Sequence, residues 1–212
     1  MTEPVEETTG KVGPMGEHRT VYATLQDVTA NPGPLGLMAF GMTTVLLNIH
    51  NAGAFKMNAM ILAMGIFYGG VAQVIAGIME WRKNSTFGMT AFLSFGLFWM
   101  TLAGLLIIGQ IWPVWAPDET AMGWYLFAWG VFTGLMFVAT LRINRALQTV
   151  FLSLTVLFFM LAIKDWTGNE TLGKIAGWEG IFVGLSAVYA SIAQIWNDAY
   201  GRVVAPLGIV KK

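Results

Sequence analysis

Six long stretches of the chain contain no Asp, Glu, Lys or Arg, and the charged residues lie between them and in the two terminal segments. A membrane-spanning helix needs roughly 20 mostly apolar residues, whereas a surface helix of a water-soluble protein carries a charged face. The uncharged stretches are residues 28–55, 57–79, 84–117, 120–141, 146–163 and 180–197. The pattern predicts an all-α membrane protein. We expect a bundle of six transmembrane helices near residues 34–53, 57–80, 88–112, 120–141, 146–164 and 176–198.

The connections between these helices are short, so we expect consecutive helices to be antiparallel neighbours that form three helical hairpins. The first 27 residues have little apolar content and no hydrophobic core of a signal peptide. We expect a flexible cytoplasmic tail at residues 1–27, with a helical turn near residues 24–28. The predicted transport domain covers residues 28–200, and a cytoplasmic C-terminal tail covers residues 201–212.

The Lys and Arg residues are distributed unevenly between the two predicted sides of the membrane. One side holds nine of them: Lys11, Arg19, Arg82, Lys83, Arg142, Arg145, Arg202, Lys211 and Lys212. The other side holds three, Lys56, Lys164 and Lys174. Because basic residues accumulate in cytoplasmic loops, this count places both termini in the cytoplasm. We therefore predict a multi-pass protein of the plasma (inner) membrane.

Composition excludes several functional classes. Only 11% of the 212 residues are charged, against about 25% in ordinary soluble domains. Twelve Lys and Arg balance twelve Asp and Glu, so there is no basic field for nucleic acid. The chain has no Cys and two His, which argues against thiolate or His-rich metal sites. We expect no enzyme activity, no cofactor and no metal, because no nucleophile–base pair is visible.

Polar residues recur on one face of the first predicted helix. Thr44, Asn48 and Asn51 follow Phe40 at helical spacing, and Asn31 stands just before two prolines at the helix start. Polar side chains inside a span avoid lipid. They either hydrogen-bond a neighbouring helix or line a water-filled pathway, and the spacing alone favours the pathway only modestly.

The second and sixth helices carry a short similar pattern. Tyr68 to Gln73 and Tyr189 to Gln194 both read Tyr, two small residues, a β-branched residue, Ala and Gln. This favours two related hairpins around a shared pathway lined by these tyrosines and glutamines, although six positions also fit a chance match. His50 and Glu80 are candidate proton-sensitive groups; the alternative for His50 is a hydrogen bond at the membrane interface.

No predicted helix has a Lys or Arg at its centre. An anion in the pathway would therefore have to be held by amides, hydroxyls, backbone N–H groups and helix dipoles, or cross as the neutral acid. A small weak acid or a neutral polar solute fits this better than an ion that needs a fixed counter-charge.

The segment NPGPLGLMAFGMTT at residues 31–44 resembles the signature of the acetate uptake transporters, also called acetate–succinate permeases. The family signature usually reads NPAPLGL, so Gly33 is a departure. Further matches to the family lie at residues 47–53, 67–77, 86–92, 129–133 and 153–157. The resemblance extends over residues 30–207.

The resemblance implies a ring-shaped homohexamer of six-helix protomers, each with its own pathway for acetate and, in some members, succinate. Such a protein acts as an anion channel or as a proton-coupled permease. The resemblance also implies a constriction of Phe, Tyr and Leu, which corresponds to Phe40, Phe95 and Leu154; Phe95 departs from the usual Tyr. The expected partners are acetate and related carboxylates, the lipid bilayer and further copies of the chain, with no nucleic acid. The alternatives are a channel for a neutral solute such as ammonia or urea, or an intramembrane enzyme or sensor.

Overall fold

The computed structural model describes residues 29–210 and, in the N-terminal part, the backbone of two short strands. The strands β1 (Val5–Glu7) and β2 (Val21–Ala23) pair antiparallel, with Glu6 opposite Tyr22. The helical turn predicted at residues 24–28 lies outside the described residues, as do the last two residues of the predicted C-terminal tail. A flexible N-terminal tail stays a prediction.

Residues 31–210 form a bundle of long helices, which confirms the predicted all-α class. The six helices are α1 (Gly33–Asn51), α2 (Ala59–Arg82), α3 (Thr86–Ile111), α4 (Glu119–Thr140), α5 (Arg145–Thr167) and α6 (Glu170–Ala199). Helices α2 to α6 are long and apolar enough to cross a membrane. Helix α1 is shorter than these five, and its polar residues Asn48, His50 and Asn51 lower its mean hydropathy.

Side-chain caps start most of the helices. Ser85, Asp118, Asn144 and Asn169 each accept a hydrogen bond from a backbone N–H in the first turn of α3, α4, α5 and α6, respectively. Helix α6 therefore begins at Glu170, earlier than the predicted residue 176. The prediction was late because the first turns of α6 contain charged residues, and charge-free stretches defined the predicted helices.

Helix α2 is not a regular α-helix. Its residues Met64–Ala72 form a π-helical stretch, in which each N–H bonds to the carbonyl five residues before it instead of four. Each wide turn takes up an extra residue and shifts the following positions by about 100° around the helix axis. The second half of α2 therefore presents a different face from the one that an uninterrupted α-helix would present.

Glycines allow close packing inside the bundle. Gly41 of α1 and Gly184 of α6 face each other, and a Cβ on either would lie 2.7 Å from the carbonyl oxygen of the other. Gly69 of α2 packs against the Trp99 ring of α3. Glycines thus let neighbouring helices of the bundle pack at close range.

Residues 201–210, which we name the C-terminal strap, fold back along the bundle. Asn197 of α6 accepts hydrogen bonds from the N–H groups of Val204 and Ala205 at 2.7 and 2.9 Å and donates to the Ala205 carbonyl at 2.8 Å. The strap also pairs with the start of α5, where the N–H of Arg145 donates to Gly208 O at 2.9 Å. The strap is thereby tied to both α6 and the connection between α4 and α5.

Candidate functional site

Two cavities open at opposite ends of the helix bundle. The first, the lower cavity, has a volume of about 270 Å³ and lies among the starts of α1, α3 and α5 and the ends of α2 and α6. The second, the upper cavity, has a volume of about 630 Å³ and lies among the ends of α1, α3 and α5 and the starts of α4 and α6. Consecutive helices therefore run antiparallel, as their short connections predict.

Amide side chains stand at the wall of the lower cavity. Asn31 donates from Nδ2 to Gln194 Oε1 at 2.9 Å and accepts at Oδ1 from the N–H of Gly33 at 3.0 Å. Asn31 thus holds the first turn of α1 and links it to α6. The structure brings these two predicted pathway residues together at the start of α1.

Gln73 and Glu80 of α2 line the same cavity. Gln73 is 1% exposed, and its Oε1 atom has no hydrogen-bond partner in the described part of the chain. Glu80 is 7% exposed, and its carboxylate occupies the space that a Cβ at Gly88 would need. Among residues 29–210, no Lys or Arg and no other Asp or Glu lines this cavity. Glu80 is therefore the single charged residue that the described chain places in its wall.

Phe40, Phe95 and Leu154 line the apolar part of the lower cavity and are almost completely buried. The rings of Phe40 and Phe95 lie 5.6 Å apart, centroid to centroid. Phe95 also contacts the rings of Trp129, Phe132 and Phe151 at 5.7–6.1 Å. The three residues of the predicted constriction therefore line one cavity from three different helices.

A second apolar layer lies beyond them. On α3, Phe98 falls between the residues that line the lower cavity and those that line the upper one, and on α5 Phe158 does the same. Their rings meet almost perpendicularly at 5.2 Å. We name Phe40, Phe95, Leu154, Phe98 and Phe158 the apolar plug.

The sequence reasoning missed Phe98 and Phe158. The signal was present, because Phe98 is three residues after Phe95 and Phe158 is four residues after Leu154. These spacings place each on the same helix face as a predicted constriction residue.

The predicted polar face of α1 bonds mostly to itself. Thr44, which lies between the two cavities along α1, donates to Phe40 O at 2.7 Å, and Asn48 donates to Thr44 O at 2.9 Å. Asn48 is buried against Gly180 of α6, and Asn51 donates to Asn48 Oδ1 at 3.0 Å. Of Thr44, Asn48 and Asn51, only Asn51 lines one of the two cavities, the upper one.

Tyr68 and Tyr189 line neither cavity. Tyr68 lies half-buried within the π-helical stretch of α2. Tyr189 is 46% exposed, and its hydroxyl donates to Pro206 O at 2.7 Å, so it holds the C-terminal strap. A part for either residue in the pathway stays a prediction.

The upper cavity carries most of the charge. Lys56, Lys164 and Lys174 line it, together with Asp165 and Glu170. Lys164 lies 3.2 Å from Asp165 and 3.8 Å from Glu170. In the sequence these lysines indicated only the orientation of the helices in the membrane. Their positions along the chain did not predict that all three would line one cavity.

His50 also lines the upper cavity, and its Nδ1 atom lies 2.7 Å from Phe55 O. When this nitrogen donates to the carbonyl, Nε2 is the nitrogen left to accept a proton. The predicted alternative, a hydrogen bond near the helix end, is therefore present, and a proton-sensitive role stays a prediction for both His50 and Glu80.

A bundle of apolar helices with a cavity at each end and an apolar plug between them defines a membrane transport protein. The chain belongs to the GPR1/FUN34/yaaH family, whose model matches residues 15–208. This establishes the family membership that the sequence motifs indicated.

Two comparisons connect the chain to proteins of stated activity. It is 52% identical to the succinate-acetate/proton symporter SatP of Escherichia coli K12 over 179 residues, which cover 84% of this chain and 95% of the relative. It also resembles the solved structure of the bacterial acetate channel SatP, with a TM-score of 0.83 and 52% identity, over 85% of this chain and 99% of that one. A more distant relative is the ammonia transport outward protein 2 of Saccharomyces cerevisiae, 36% identical over 78% of this chain and 61% of the relative.

Proposed function

We propose that this protein carries acetate and other short carboxylates, including succinate, across a membrane through a pathway within each protomer. The single observation that carries the proposal is the arrangement of the apolar plug between two cavities that open at opposite ends of the bundle. The similarity in sequence and fold to a succinate-acetate symporter and an acetate channel supports this substrate class.

The plug would act as a barrier because an anion must lose bound water to pass it. The carboxylate group of the anion loses much of its hydration in an apolar ring, and this desolvation costs free energy. The methyl group or carbon chain of the same anion is apolar and enters the ring at little cost. Amide groups in the lower cavity and cations in the upper cavity would offset part of that cost on either side. The rings of Phe40 and Phe95, and those of Phe98 and Phe158, are in contact in this structure, so we expect passage to require that they move apart.

The proposed orientation places the lower cavity in the cytoplasm and the upper cavity outside. The support is the distribution of basic residues: Arg82, Lys83, Arg142, Arg145 and Arg202 lie at the lower end of the described chain. We further propose that the protein lies in the plasma membrane and assembles as a ring-shaped homohexamer, because the family resemblance implies this assembly.

Uptake of labelled acetate into proteoliposomes tests the proposal. We expect uptake that saturates or that other short acids compete away. Uptake equal to that of protein-free liposomes would refute the proposal. Applying a voltage and a pH gradient separately distinguishes a channel from a proton-coupled permease, because an anion channel follows the voltage and a symporter follows the proton gradient.

A channel for a neutral solute such as ammonia is the second candidate, supported by the name of the yeast relative. The lysines of the upper cavity argue against an ammonia channel, because they repel ammonium, the cation that releases ammonia. Flux of ammonia without flux of acetate, measured in the same liposomes, would favour the second candidate.

A further inference from the structure

We propose that the upper cavity is a capture site for small carboxylate anions that favours dicarboxylates over monocarboxylates, with Lys56 and Lys174 as its binding cations. This inference rests on the proposed function and adds to it a site and a preference. Three lysines, Lys56, Lys164 and Lys174, stand at the upper end of the bundle, away from the other basic residues of the described chain. All three line the same cavity.

The three lysines are not equivalent. Lys164 has two carboxylates within 4 Å, so most of its charge is already compensated. Lys56 and Lys174 are exposed, and neither has a carboxylate within ion-pair distance anywhere in residues 29–210. Two uncompensated cations therefore face the cavity.

The stems of Lys174 and Lys164 pass close to two glycines in the cavity wall. The Lys174 stem passes Gly53, where a Cβ would lie 3.8 Å from Lys174 Cε, so Lys174 reaches the loop that carries Lys56. The Lys164 stem packs over Gly173, where a Cβ would lie 3.2 Å from Lys164 Cγ. The loop after α1, the end of α5 and the start of α6 thus place three lysines at one space of about 630 Å³.

This arrangement suits a small anion with two negative charges. Unit charges about 7 Å apart in water attract weakly, and salt at physiological concentration reduces the attraction further. The attraction acts on each charge of the anion, so a dianion gains about twice the electrostatic attraction of a monoanion. The cavity would therefore raise the local concentration of succinate more than that of acetate.

The absence of Cys from the chain permits a direct test. Lys56→Cys, Lys174→Cys and the variant with both substitutions are reconstituted, and the new thiols are modified from outside with a cationic or an anionic methanethiosulfonate reagent. Loss of both lysines should raise the KM for succinate about 5-fold and that for acetate about 2-fold near physiological ionic strength. The cationic reagent should restore both values, the anionic reagent should worsen them, and kcat should change little.

Ile175→Cys is the matched control, because Ile175 is exposed beside Lys174 on α6 and does not line the cavity. Its modification should leave both KM values unchanged. The effects at Lys56 and Lys174 should also shrink as ionic strength rises.

If the wild-type protein moves acetate and succinate but the KM values ignore the charge at both positions, the capture site is wrong and the proposed function stands. Equal effects on acetate and succinate would overturn the preference for dicarboxylates. If the wild-type protein moves neither acid, the proposed function itself fails.

Discussion

The side-chain amide of Asn48 fills the space that a Cβ on Gly180 would occupy, so α1 and α6 meet at an amide packed against a bare backbone. We predict that Gly180→Ala destabilises the protein by about 1–3 kcal/mol, because the added methyl must displace a buried side chain in a tight interface. Thermal unfolding in detergent, followed by tryptophan fluorescence, measures the effect.

Gly104→Ala on α3 provides the control, since no atom lies within 4 Å of the Cβ that it would add. That variant should be as stable as the wild type or slightly more stable, because Ala favours a helix over Gly. Equal unfolding midpoints for the two variants would contradict the packing assigned to Asn48.

Leu154→Ala should widen the plug and shift selectivity towards the larger acid. Removing this buried side chain leaves space next to Phe40 and Phe95, so the ratio of succinate to acetate flux should rise. Adding Phe158→Ala should raise total flux further, because it opens the second layer. Leu152→Ala, which changes an exposed residue of the same helix, should leave the ratio as in the wild type.

Phe95→Tyr should increase carboxylate flux. The new hydroxyl would place a hydrogen-bond donor at the plug, and one hydrogen bond of about 0.5–1.5 kcal/mol to the passing carboxylate corresponds to about 2–10-fold in rate. Initial rates of acetate uptake measure the change, with the amount of folded protein checked by gel filtration. Unchanged or slower uptake by correctly folded protein would mean that the plug is not the rate-limiting barrier.

Glu80→Gln should make it easier for anions to enter from the lower end. The substitution removes the negative charge from the lower cavity while preserving the shape of the side chain, so acetate flux should increase by about 3-fold. Asp198→Asn removes an exposed charge at the same end that lines no cavity, and it should have little effect. Equal responses of the two variants would indicate a general surface effect.

Asn197→Ala should release the C-terminal strap. The substitution removes three hydrogen bonds to Val204 and Ala205, and we expect it to cost about 1–3 kcal/mol of stability. Proteolysis should then cut residues 202–210 faster than in the wild type. Tyr200→Ala, at a position 66% exposed just beyond α6, should not alter the cleavage rate.

The helices were predictable because membrane spans require long uncharged segments, and this requirement leaves a clear trace in the sequence. The beginning of α6 was misplaced because Glu170 and Lys174 lie inside that helix, before the predicted first residue. The C-terminal strap escaped prediction for a different reason. Its order depends on side chains of α6 and on backbone groups at the start of α5, which are distant in the sequence.

The site was predictable where it depends on the spacing within one regular helix or on a family motif. The constriction at Phe40, Phe95 and Leu154 came from the family resemblance, and the structure brings these residues to one cavity. The prediction that Tyr68 and Gln73 both line the pathway took this part of α2 to be an uninterrupted α-helix. The π-helical stretch changes the register between them, so Gln73 and Glu80 line the lower cavity while Tyr68 does not.

The contrast between the two cavities has an electrical consequence. Within residues 29–210, three lysines and two carboxylates line the upper cavity, whereas Glu80 is the single charged residue in the wall of the lower one. Anions are therefore concentrated at one mouth and depleted at the other when both solutions are identical. An open pathway of this kind behaves as a rectifier, and its current–voltage curve in symmetrical acetate should bend rather than run straight through zero.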